Sequence, residues 1–156
     1  MEGIISNLEK AFIEIADLMR STDPFNLSKL TDENNISGDD VKTLDILSNE
    51  ILKKHLSECE DVSIIGSEEE PEFYYTKHKK GQYLVCYDPL DGSSNIDSNI
   101  TVGTIFAIYD LDIGLRDGNS IVCAGYCLYG SSTQFVLAKD KVQLYFLREK
   151  IGRAHV

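Results

Sequence analysis

Apolar residues recur near the start of the chain with the period of a helix. Ile5, Leu8, Phe12, Ile15 and Met19 alternate in steps of three and four, which places them on one face. Ser21 to Gly38 holds Pro24, Gly38 and many Asp, Asn, Ser and Thr residues, and reads as a mobile loop. A second helix is predicted from Ser37-Gly38-Asp39-Asp40, where a capping residue precedes acids in the first turn, to about Leu56. Val41, Leu44, Leu47 and Ile51 form its apolar stripe. The pattern then changes. Val62–Ile65, Tyr83–Tyr87, Thr101–Tyr109, Ser120–Tyr129, Thr133–Ala138 and Val142–Leu147 are short runs rich in Val, Ile, Phe, Tyr and Thr, broken by Gly, Asp and Ser. Helices first and strands after predict an α/β (α+β) fold, with helices packed on a mostly antiparallel sheet.

Composition narrows the function classes. The chain has 156 residues, enough for one domain with a real core. Asp and Glu number 26 against 15 Lys and Arg, a net charge of −11. That disfavours nucleic acid and anionic membrane as partners and is compatible with divalent cations. No apolar run is long enough to span a bilayer, and the N-terminus has neither a secretory nor a transit pattern, so a cytoplasmic location is expected. Cys59, Cys86, Cys123 and Cys127 include no C-x-x-C, which fits core packing in a reducing compartment. His55 and His78 show no ligand spacing.

The candidate chemistry lies in acidic turns. Residues 87–97 read YDPLDGSSNID, with Asp88 and Asp91 at the end of a predicted strand. Pro89 fixes the turn, and Gly92 admits backbone geometry closed to other residues. Ser93, Ser94 and Asn95 then open a short helix whose free N–H groups suit phosphate oxygens. Hard oxygen ligands beside an anion cradle suit a Mg²⁺ ion bridging carboxylates and a substrate phosphate. Taken alone, D-x-x-D-G reads more readily as an Asx-type turn capping a helix. An EF-hand loop is excluded, because aligning Gly92 with its glycine puts Pro89 and Tyr87 where acids are required. A second cluster, Gly66-Ser67-Glu68-Glu69-Glu70-Pro71-Glu72, follows the strand Val62–Ile65 and taken alone is a solvated acidic loop. If the two strands are neighbours, both sets of carboxylates meet at one sheet edge, and their repulsion calls for a cation. Asp39 and Asp45 form a third set at the start of the second helix, with Asp45 set between Leu44 and Ile46.

These segments together resemble a known family. YDPLDGSSNID followed by TVGTIFAIY is similar to the metal-binding signature of class I fructose-1,6-bisphosphatases. GDDVKTLDILSNEIL, SEEEPE and AGYCLYGSSTQFVLA resemble further family segments in the same order, so the resemblance runs from Gly3 to Leu147. SEEEPE and DSNITVG also resemble sedoheptulose-1,7-bisphosphatase. The resemblance implies the N-terminal, metal-binding half of a layered αβαβα sugar-phosphatase fold, here residues 1–147. It implies Mg²⁺-dependent hydrolysis of the 1-phosphate of fructose 1,6-bisphosphate in gluconeogenesis, with two or three Mg²⁺ per site, which Mn²⁺ or Zn²⁺ can replace. Glu68, Asp88 and Asp91 match metal-ligating carboxylates, Leu90 a ligating backbone carbonyl, and Glu69 an acid on the metal or the attacking water. Asp45 matches a residue that helps deprotonate that water, and Asp39 an acid near a third metal position. Gly92, Ser93 and Ser94 match the turn holding the departing phosphate. A phosphorylated sugar is the implied partner, and a homo-oligomer, tetramer or dimer, the implied assembly of the full-length protein. A non-catalytic remnant of the same fold is the alternative from another class.

Two departures qualify the resemblance. The family's lysine-tyrosine pair for AMP matches Gln82-Tyr83, which lacks the cation, and its N-terminal nucleotide-binding loop is not recognisable. The family's second half, with its sugar-binding residues and a last metal-ligating glutamate, has no counterpart here. The resemblance stops after Leu147, and Lys150–Val156, KIGRAHV, is what a common sequencing-adapter sequence encodes in one frame. Residues 148–156 are therefore expected to be a non-native tail, and the chain a truncated form inactive by itself.

Overall fold

The structure, a computed structural model, describes residues 1–21, 38–98, 100–114, 118–147 and 154–155. Helix α1 spans Glu2–Ser21, with Glu2 in its first turn and Arg20 in its last, each at the end where the helix dipole favours its charge. It buries Ile4, Ile5, Leu8, Ala11, Phe12, Ile15 and Ala16, the face its periodicity predicts, while Met19 is only partly buried. Helix α2 spans Gly38–Ser57. The predicted loop between the helices lies outside the described residues.

The inward face of α2 differs from expectation. Leu44, Leu52 and Leu56 are buried, while Leu47 and Ile51 are only partly so, and the side chain of Val41 is outside the described residues. Asp45, Ser48 and Asn49 are buried with the leucines. The helix is rotated toward a polar neighbour, so its buried face is a leucine column flanked by polar groups rather than the most apolar stripe.

Among the described residues eight strands form one sheet: β1 (Val62–Ser67), β2 (Tyr74–Tyr75), β3 (Tyr83–Asp91), β4 (Val102–Asp110), β5 (Ile121–Tyr129), β6 (Thr133–Ala138), β7 (Val142–Leu147) and β8 (Ala154–His155). Their order is β2-β1-β3-β4-β5-β6-β7-β8. Every neighbouring pair is antiparallel except β1 and β3, which are parallel. Six strands match the predicted runs. The two-residue strands β2 and β8 were not expected, being too short to show a period-two pattern. β3 extends past Tyr87 through the acidic turn to Asp91.

The helices cover one face of the sheet. Phe12 of α1 packs on Phe106 and Phe135 at 5.9 and 5.3 Å between ring centroids, and Phe135 stacks on Tyr145 at 5.8 Å. Cys123 and Cys127 lie buried on β5, and all four cysteines are free thiols. On alternate positions of the central strands, Ile105 and its cross-strand partner Tyr126 are 49% and 40% exposed, so the other face is open and apolar. Helices α1 and α2 are tied by Glu14, which accepts from His55 Nε2 at 2.7 Å and Lys54 Nζ at 3.2 Å. No described helix is long and apolar enough to cross a membrane.

Candidate active site

The parallel pairing of β1 with β3 builds the site. Ser67 at the end of β1 lies opposite Tyr87, and the next N–H, of Glu68, donates to the Tyr87 carbonyl at 3.0 Å. Both strands therefore run out at the same edge, and both acidic turns emerge there, as their positions after apolar strands anticipate. Helix α2 brings Asp45 to the same place, where it is 9% exposed and hydrogen-bonded to Ser93.

The turn after β3 is closely specified. Leu90 is 1% exposed and anchors the turn in the core, which leaves Asp88 half-buried and Asp91 exposed. The Leu90 N–H donates to Asp88 Oδ1 at 3.1 Å, so the Asx-type turn weighed from the sequence is present. It occupies one carboxylate oxygen of Asp88 and leaves the other. Gly92 has φ of 80°, in the left-handed region that favours glycine. The predicted short helix follows as a 3₁₀ turn, Ser93–Ser98.

Asp45, Asp88 and Glu69 are each shifted toward the protonated form. Burial pushes the Asp45 carboxyl up, and the charges of Asp88 and Glu68 push it further, against a lowering hydrogen bond from Ser93. Asp88 is raised by burial and by the charges of Asp91 and Glu68, against the Leu90 N–H. Glu69 is raised by burial, by Asp45 and Glu68, and by a hydrogen bond with Glu68. Glu68, Glu69, Asp88, Asp91 and Asp45 thus form one coupled cluster. Among the described residues no three acidic, His or Cys side chains stand as a finished metal cage. The fit to a metal is one of donor chemistry: hard carboxylate oxygens on neighbouring turns, with excess negative charge, suit Mg²⁺.

The structure also sorts the acids that the sequence left together. Glu70 turns away from the cluster and takes Lys53 Nζ at 2.6 Å and Asn49 Nδ2 at 2.9 Å, which hold its carboxyl below the usual range. Asn49 in turn accepts from the Tyr87 hydroxyl at 3.0 Å. Asn49 and Lys53 were missed as bracing residues. Their signal was available, since Asp45, Asn49 and Lys53 follow one another at four-residue steps on α2. Asp39 lies in the first turn of α2, with its side chain outside the described residues. Gln82 and Tyr83 lie together at the start of β3, where Gln82 Nε2 donates to Asp110 Oδ2 at 3.0 Å. Burial raises the Tyr83 hydroxyl's pKa, and Asp110, Asp61 and Asp112 raise it further, so this corner is acidic.

The family model "Fructose-1-6-bisphosphatase, N-terminal domain" matches residues 1–155. The chain belongs to the fructose-1,6-bisphosphatase family. It is 39% identical to fructose-1,6-bisphosphatase isozyme 2 of Bos taurus over 160 aligned residues, 96% of this chain and 47% of that protein. It is 45% identical to a cytosolic fructose-1,6-bisphosphatase of Arabidopsis thaliana over 118 residues, 70% of this chain and 35% of that protein. The crystal structure of Leishmania major fructose-1,6-bisphosphatase in holo form superposes with a TM-score of 0.80 at 30% identity, over 99% of this chain and 48% of that one. The chain spans about half the length of the relatives it matches. The fold class expected from the order of helices and strands, and the family expected from the resemblance, are thus met.

Proposed function

We propose that this chain is the metal-binding half of an enzyme that hydrolyses the 1-phosphate of fructose 1,6-bisphosphate with Mg²⁺, in the cytoplasm. The observation that carries the reading is the meeting of the β1 and β3 turns and Asp45 at one sheet edge. Glu68, Asp88, Asp91 and the Leu90 carbonyl would hold the metal, with Glu69 shared between metal and water. When bound, the metal supplies positive charge for the phosphate oxygens and acidifies a water. The residues of the chain do the rest. Asp45 and Glu69 would take the proton of the attacking water. Ser93 fixes Asp45 by its hydrogen bond. Gly92, Ser93 and Ser94 would offer small groups and N–H donors to the departing phosphate, and Asp39, in the first turn of α2, would serve as an acid near a third metal position. No nucleotide and no covalent protein intermediate is needed.

The named relatives are fructose-1,6-bisphosphatases, and no structural observation favours the sedoheptulose or non-catalytic alternatives. Phosphate release by the full-length protein tests the reading, with fructose 1,6-bisphosphate, sedoheptulose 1,7-bisphosphate and inositol phosphates compared at saturating Mg²⁺. Fastest turnover of the fructose ester is expected. A preference for sedoheptulose 1,7-bisphosphate, or no release from any ester, would overturn it.

A further inference from the structure

Side chains alternate along a strand, so two residues three apart on a regular strand face opposite ways. Asp88 and Asp91 are three apart on β3, yet they belong to one cluster. The pairing with β4 explains this. Asp88 lies opposite Ile105 and Asp91 opposite Gly103, so three steps along β3 match two along β4. One extra residue is accommodated between the acids, and it brings Asp91 back into phase with Asp88.

The irregularity falls at Pro89-Leu90, opposite Thr104. Pro89 has no N–H for the ladder. Its carbonyl accepts the Thr104 hydroxyl at 2.8 Å. Thr104 is fully buried, and the same oxygen lies 2.6 Å from the Tyr129 hydroxyl. A threonine hydroxyl has one proton. With that proton given to Pro89, Tyr129 is the donor of the second bond. Tyr129 is itself 8% exposed and hydrogen-bonded to the Cys127 thiol, and burial holds its hydroxyl in the protonated form the bond requires. A buried relay therefore runs from Tyr129 through Thr104 to the carbonyl inside the bulge.

We propose that Thr104 and Tyr129 are positioning residues for the metal site: their relay fixes the Pro89 carbonyl and so the bulge that aligns Asp88, the Leu90 carbonyl and Asp91. The inference rests on the metal-binding reading above. Without the relay the turn has two ways to place Asp91, in phase with Asp88 or out of it.

The test measures Mn²⁺ affinity by electron paramagnetic resonance, and metal-free unfolding midpoints, on the full-length protein. Thr104→Val and Tyr129→Phe remove the hydroxyls with little change of shape, and Thr104→Ser keeps one. Thr76→Val is the matched control, because Thr76 Oγ1 donates to the buried Val62 carbonyl at 2.7 Å, at the start of β1 away from the acids. Thr104→Val and Tyr129→Phe should each weaken Mn²⁺ binding by about tenfold, the scale of one hydrogen bond. Thr104→Ser should restore parental affinity. Thr76→Val should lower the midpoint and leave affinity unchanged. If Thr104→Val fails to fold, Tyr129→Phe, which loses a single oxygen, carries the comparison. Parental affinity in the hydroxyl-free variants, or equal weakening by Thr76→Val, overturns the positioning role alone. A parent that binds no Mn²⁺ overturns the metal reading, and this inference with it.

Discussion

Asp45→Asn should make the metal-free protein more stable while nearly stopping turnover. Asp45 is 9% exposed, and both its burial and the charges of Asp88 and Glu68 oppose its ionisation. Asparagine has the same shape and can still accept from Ser93, so the substitution removes the repulsion and keeps the bond. Relief of such functional strain commonly gives about 1 kcal/mol, which for a protein about twice the length of this chain raises the melting temperature by about 1–2 °C. The pH dependence has a definite sign. A carboxyl whose folded pKa is raised costs stability when ionised, so the cost is full above the folded pKa and vanishes below the unfolded one. The gain of Asp45→Asn should therefore be largest near neutrality and shrink as the pH falls through the raised pKa. Loss of a general base should cut kcat by about 10²–10⁴-fold. Thermal unfolding in EDTA across a pH series, with phosphate release at saturating Mg²⁺, reads both effects on the full-length protein. A lower melting temperature in EDTA at neutral pH, or parental kcat, would refute the reasoning.

Asp88→Asn or Asp91→Asn should nearly abolish turnover and weaken Mg²⁺ binding in calorimetric titration; near-normal activity of both at saturating Mg²⁺ contradicts their assignment as ligands. AMP should inhibit the full-length protein poorly, because Gln82 supplies no charge and Asp110 repels phosphate. A charge-assisted hydrogen bond is worth roughly 1.5–3 kcal/mol, so a tenfold or larger shift in AMP affinity is expected on kinetic titration, and strong inhibition would contradict it. Glu14 is held below its ordinary range, first by the hydrogen bond from His55, so its contribution is present above the unfolded pKa and lost as pH falls through the folded one. Glu14→Gln should flatten the acid limb of the stability–pH curve by less than about 1 kcal/mol, the pair being partly exposed, and an unchanged acid limb would count against it. The 156-residue chain alone should self-associate in sedimentation experiments through the face bearing Ile105 and Tyr126; a monomer at micromolar concentration would contradict this.

Much of the fold was legible because long elements repeat their period often enough to declare it. The stripe of α1 and the runs of β6 and β7 correspond closely to their elements, while β2 offers only Tyr74 and Tyr75 and shows no alternation. The site was legible in parts. The acids stood out as residue types at strand ends, but whether β1 and β3 were neighbours depended on long-range pairing that no local pattern carries. For the same reason SEEEPE could not be divided: Glu70 parts from Glu68 and Glu69 only because Lys53 and Asn49 of α2 lie beside it. The bulge between Asp88 and Asp91 was hidden too, since Thr104 and Tyr129 read from the sequence as ordinary strand residues and gain their role from cross-strand register.

The central claim is that the turns after β1 and β3 form one metal site, and anomalous diffraction from crystals of the full-length protein grown with Mn²⁺ tests it most directly. The account predicts an anomalous peak within coordinating distance of Glu68, Asp88, Asp91 and the Leu90 carbonyl. Peaks only elsewhere on the protein, with those four groups free of metal, would contradict it.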